Sequence, residues 1–163
     1  MAVKIGRRYL GDIVNMEKGL ISRDVFTSKD IFNEELKHIF PYSWLFVGHE
    51  SQISTNGDYI LSRMADESVI LNRDSNGKIH VFLNNCRHRG MRVCRYDKGN
   101  TRKFVCPFHA WVYSNEGKLV GVPKFEAGYK KELQKSDWGL IEARVANYNG
   151  FIFACWDRGM PEF

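Results

Sequence analysis

Two short segments carrying metal-binding side chains constrain this chain more than anything else in it. Cys86-Arg87-His88 and Cys106-Pro107-Phe108-His109 each pair one cysteine with one histidine, and seventeen residues separate His88 from Cys106. Each segment follows a stretch that reads as a β-strand, Lys78 to Asn85 and Lys103 to Val105, so each pair is expected on a loop tip. Two tips side by side form a cage of two thiolates and two imidazoles, which suits either one zinc ion or a two-iron cluster. With five histidines and four cysteines in 163 residues, the two motifs together arise by chance about once in seventy.

The rest of the chain reads as the scaffold for those loops. Thr27-Ser28-Lys29-Asp30 opens a helix whose apolar residues, Ile31, Phe32, Leu36, Ile39 and Phe40, recur at helical spacing until Pro41 stops it. Asp30, Glu34 and Glu35 lie toward its start and Lys37 and His38 toward its end, the order a helix dipole prefers. Beyond Pro41 the pattern turns to short runs of Val, Ile, Leu and aromatic residues. Trp44 to His49, Asp58 to Arg63, Ser68 to Arg73, Trp111 to Tyr113, Lys118 to Val122, Leu140 to Ala146 and Phe151 to Trp156 join the two strands already named. Asp74-Ser75-Asn76-Gly77 is a hairpin turn by its Asn and Gly, and 129–135 reads as one or two helical turns. These signals predict a mostly β, antiparallel domain over 44–163, preceded by an extension over 1–43 with one helix at about 28–40.

Composition excludes several classes. Apolar residues make up 44% and charged residues 26%, enough core and enough surface for a globular chain. The longest apolar run, Phe151 to Trp156, is far short of the ~20 residues of a membrane helix, and Met1 to Arg8 has no apolar leader segment. A soluble, cytoplasmic protein with no membrane contact is expected. Disulfides are not needed at this size, so Cys94 and Cys155 read as small buried hydrophobes. His38, His49 and His80 share no ligand spacing and read as structural. Between Arg87 and Lys103 stand seven basic residues and a single acid, Asp97. The stretch admits a solvated face, a docking face or a nucleic-acid patch, and with only Tyr96 and Phe104 interleaved the last has little support.

The distribution of ligands selects between the metals. Zinc sites usually keep like ligands together, whereas here each loop mixes one Cys with one His, the arrangement of a Rieske [2Fe–2S] centre. The two loops, Cys86 to Met91 with Arg92 and Cys106 to Trp111, resemble the cluster loops of the α subunits of aromatic-ring-hydroxylating dioxygenases. The likeness also includes Trp44 to Glu50, Gly57-Asp58-Tyr59, Phe82 to Asn85 and Gly121-Val122-Pro123. It implies a Rieske-type β-sandwich in which Cys86 and Cys106 hold an inner iron and His88 and His109 an outer one. It also implies a ferredoxin or reductase as electron donor. The acceptor it implies is a mononuclear iron in a catalytic domain, absent from this chain, of its own or a neighbouring α subunit. Two positions depart from that family: Phe108 stands for its usual tyrosine and Ala110 for its glycine, whose place is expected to be closely packed. Met91, Phe108 and Trp111 occupy the places where respiratory Rieske proteins have a disulfide and a serine, so no such disulfide or hydroxyl donor, and a low potential, are expected. A freestanding Rieske-type ferredoxin and a structural Cys2His2 zinc module are the alternatives. The first is disfavoured by the segment before Trp44.

Overall fold

The computed structural model describes residues 4–5, 8–129 and 132–163, so the readings of Met1 to Arg8 and of 129–135 fall partly outside the described residues. The chain divides into two compact units, Met1–Ser43 and Trp44–Phe163. In the first, α1 (Lys29–His38) is capped by Ser28, whose side chain accepts from Ile31 N, and a 3-10 turn containing Pro41 follows it. Two two-residue ladders, Lys4–Ile5 with Arg8–Tyr9 and Val14–Asn15 with Leu20–Ile21, precede it. Short helical turns at Leu10–Ile13 and Asp24–Thr27 complete this unit.

The second unit is all antiparallel. In chain order its strands are β1 (Leu45–His49), β2 (Asp58–Met64), β3 (Glu67–Arg73), β4 (Ile79–Leu83), β5 (Lys98–Asn100), β6 (Lys103–Val105), β7 (Val112–Ser114), β8 (Leu119–Gly121), β9 (Arg144–Tyr148) and β10 (Phe151–Cys155). They form a four-stranded sheet in the order β4-β3-β2-β5 and two three-stranded sheets, β6-β7-β8 and β9-β10-β1. The four-stranded sheet contributes to two cores, because side chains alternate across a strand. On β3, Val69 and Leu71 join Val47, Ile152 and Ala154 of the β9-β10-β1 sheet. Ile70, between them, joins Phe104, Tyr113 and Leu119 of the β6-β7-β8 sheet. All three β3 residues are fully buried, and each such side chain stabilises the fold by about 1.5–3 kcal/mol. Cys86, Cys94, Cys106 and Trp111 belong to the second of these cores. The loops that carry the Cys/His pairs are therefore anchored in packed interior. Helical turns at Phe125–Tyr129 and Lys135–Trp138 lie between β8 and β9.

Candidate metal centre

The first loop leaves β4 and the second connects β6 to β7, and both close by the same backbone ring. Cys86 N donates to Met91 O and Gly90 N to Cys86 O, each at 2.8 Å. Cys106 N donates to Trp111 O at 2.8 Å and Ala110 N to Cys106 O at 3.0 Å. The ring requires a left-handed residue four positions after each cysteine, with φ +69° at Gly90 and +54° at Ala110. A Cβ at Gly90 would meet nothing, and Ala110 is exposed, so backbone strain and not crowding makes glycine the fitting residue. Ala110→Gly is expected to stabilise the protein by about 0.5–1 kcal/mol, read as a thermal midpoint a few degrees higher.

The rings bring the four side chains together as two like pairs. Cys86 and Cys106 are 3% and 2% exposed, and their thiols lie close enough for Cys106 to help raise Cys86. The Nδ1 atoms of His88 and His109 face each other at 3.1 Å, with ring planes 74° apart. Two imidazoles on one metal, with bonds of about 2.1 Å near a right angle, hold their nitrogens about 3 Å apart. Among the described residues no three His, Cys, Asp or Glu side chains surround one point; thiol meets thiol and imidazole meets imidazole. That suits two metal atoms with two ligands each. Burial pushes the Cys86 thiol up, so metal must displace its proton on binding. Burial lowers His88, and the nearby His109 and Arg89 charges lower it further, which keeps its imidazole neutral and able to ligate.

Tyr113, on β7, is fully buried, and its hydroxyl lies 3.2 Å from Cys86 Sγ and 3.0 Å from Arg87 N. Arg87 N–H donates to the phenol oxygen. Once Cys86 is a thiolate it can only accept, so the phenol proton goes to sulfur. Burial, and next the bond to Cys86, push the Tyr113 phenol up and keep it a donor. A hydroxyl donor therefore reaches the inner pair from β7, away from the places where Met91, Phe108 and Trp111 supply none. With a redox-active metal held by Cys86, Tyr113→Phe is expected to lower its reduction potential by about 60 mV, the equivalent of ~1.4 kcal/mol in a one-electron couple. Protein-film voltammetry checks it.

Further side chains hold the loops in place. Asn84, fully buried, accepts from Val93 N and Cys94 N and donates to Cys94 O, tying the start of the first loop to its end. The Trp111 ring lies flat against His88, with centroids 4.9 Å apart, and Trp138 packs edge-on to Trp111. Phe108, half exposed, packs on His109. Sequence reading missed Tyr113 and Asn84. The signal available was a buried-pattern tyrosine and asparagine beside the loops, each needing a polar partner.

The remaining cysteines and histidines stand elsewhere. Cys94 is buried and pushed up to about 12 by that burial, and Cys155 Sγ faces Asp157 O. All four cysteines are free. His38 pairs with Glu34, His49 with Ser51, and buried His80 bridges Glu142 at 2.6 Å and Asp74 at 3.0 Å.

Comparison with known proteins extends this picture. A family model described as the Rieske [2Fe-2S] domain matches residues 43–148. The biphenyl 2,3-dioxygenase α subunit of Rhodococcus jostii (strain RHA1) is 44% identical over 153 residues, 94% of this chain and 33% of that protein. The benzene 1,2-dioxygenase α subunit of Pseudomonas putida is 46% identical over 140 residues, 86% of this chain and 31% of that protein. Naphthalene 1,2-dioxygenase with indole in its active site superposes with a TM-score of 0.87 at 36% identity, over 98% of this chain and 35% of that one. The chain spans about a third of the length of these relatives.

Proposed function

Because the chain belongs to the Rieske [2Fe-2S] domain family, we propose that it is the electron-carrying part of an aromatic-ring-hydroxylating dioxygenase α subunit, with Cys86, Cys106, His88 and His109 as cluster ligands. The bound cluster supplies a site that takes up and releases one electron at a time. The protein's own part is positional. The two thiols close the buried side, the imidazoles ligate through Nδ1, and their outer nitrogens form the edge nearest solvent. Tyr113 steadies the charge on Cys86, and Trp111 fixes the plane of His88. Electrons enter from a ferredoxin or reductase. They leave toward a mononuclear iron held by two histidines and a carboxylate in the catalytic domain of the same or a neighbouring α subunit. The substrate class is an apolar arene, by analogy with the biphenyl, benzene and naphthalene enzymes. Among the described residues no helix is long and apolar enough to cross a membrane, and we place the protein in the cytoplasm beside its donor.

The observation that carries this reading is the convergence of thiol with thiol and imidazole with imidazole on two loops of identical backbone closure. A single zinc ion would want the four donors around one point. Metal and sulfide analysis tests it: two irons and two acid-labile sulfides per chain are expected, and stoichiometric zinc in a colourless protein would contradict it.

A further inference from the structure

Beside the second loop lies a concavity of about 470 Å³ lined by the end of the first loop, Tyr59 of β2, Thr101 and β6. Its floor is apolar and buried, with Tyr59, Cys94 and Phe104 each at most 8% exposed. Arg95, Tyr96 and Lys103 stand on its exposed rim. Pro107, which also lines it, sits between Cys106 and Phe108, so anything seated there touches the backbone of the cluster loop.

The charge around this hollow is one-sided. Residues 87–103 carry seven bases and one acid, a surplus of six, while the whole chain carries plus five. The rest of the chain is thus net negative by one, and all the basic excess sits in this stretch. Among the described residues none of the seven takes part in an ion pair, and all are exposed. An unpaired, exposed cluster of one sign raises the encounter rate of a partner of the opposite sign and fixes its orientation.

Resting on the electron-transfer reading above, we infer that the electron donor is an acidic protein that docks on this flank, between β6 and the end of the first loop, and not over the histidine tips. Its carboxylates meet Arg95 and Lys103, and an apolar side chain between them enters the hollow. The electron then enters through the Cys106-Pro107-Phe108 backbone. The outer edges of His88 and His109 stay uncovered for the acceptor, so reduction and delivery use different faces.

Stopped-flow reduction of the cluster-loaded protein tests this, with a purified acidic [2Fe–2S] ferredoxin as one donor and photoreduced deazariboflavin, which is uncharged, as the other. For the unaltered protein the ferredoxin rate is expected to fall as salt rises, and the deazariboflavin rate to stay level. R95E/K103E is expected to slow ferredoxin at low salt by about tenfold or more and to flatten the salt dependence. The milder R95Q/K103Q gives a smaller loss in the same direction, and serves if the reversed pair does not fold. R63E/R158E changes the net charge equally outside the hollow and is expected to leave the rate within about twofold. A ferredoxin rate unchanged in R95E/K103E, or slowed as much in R63E/R158E, overturns the docking inference alone. An unaltered protein that assembles no coloured cluster overturns the parent reading instead.

Discussion

Cys106→Ala is expected to yield a colourless protein that retains no iron, while Cys94→Ala keeps the full visible spectrum. The two cysteines are similarly buried and belong to the same hydrophobic core. They differ in what they face. Cys106 closes the backbone ring of the second loop and lies near the Cys86 thiol, whereas Cys94 lines the hollow beside Tyr59 and Phe104. Removing one of two thiolates leaves the inner position with a single anchor. Because metal binding here is also folding free energy, the loss extends to the loops, and the thermal midpoint falls with the colour. A colourless Cys94→Ala protein, or a coloured Cys106→Ala protein, would show that the ligand set is wrong.

Asn84→Ala is the largest effect expected from a residue that touches no metal. The side chain accepts from Val93 N at 3.0 Å and Cys94 N at 2.8 Å, and donates to Cys94 O at 2.9 Å and Ser68 Oγ at 3.2 Å. Alanine leaves two backbone N–H groups and one carbonyl unpartnered in the interior. At about 1–3 kcal/mol for each stranded group, with some relaxation, the cost is about 3–5 kcal/mol. For a chain of this size that is a midpoint lower by roughly 10 °C. The first loop should also release iron faster on chelator challenge, since its return to β5 is no longer tied to its start. A midpoint within about 2 °C of the parent would remove Asn84 from the account.

The parts of this protein that could be read from sequence are those whose cause is local. Ser28 caps α1 three residues before Ile31, and Pro41 follows its end, all within one short segment. The Cys/His loops announce themselves by residue type and spacing, and β1 to β4 by their apolar runs. β5 could not be read. Lys98-Gly99-Asn100 is exposed throughout and has no alternation; it is a strand only because Asp58, Tyr59 and Ile60 of β2 pair with it. Gly99 is needed there because a Cβ would lie 2.9 Å from the Tyr59 ring. The expected strand from Leu140 to Ala146 begins only at Arg144. Before that, Leu83 N bonds to Ile141 O and Ala143 N to Val81 O, so the segment runs along β4 as an irregular edge. Tyr113 reaches a thiol 27 positions away in the chain. His80, expected to be an ordinary strand histidine, is held between two carboxylates from separate segments. Pairings of that kind arise in the assembled fold and leave no trace in local pattern.

The central claim is that two histidines and two cysteines of this chain hold one two-iron cluster. Pulsed electron paramagnetic resonance on the reduced protein, grown with ¹⁵N-histidine, tests it most directly. The expected result is strong coupling of the cluster spin to two directly bound nitrogens, both carrying the ¹⁵N label, with one lost in His109→Cys. A spectrum without strongly coupled nitrogen would mean an all-cysteine cluster, and would contradict the assignment of His88 and His109.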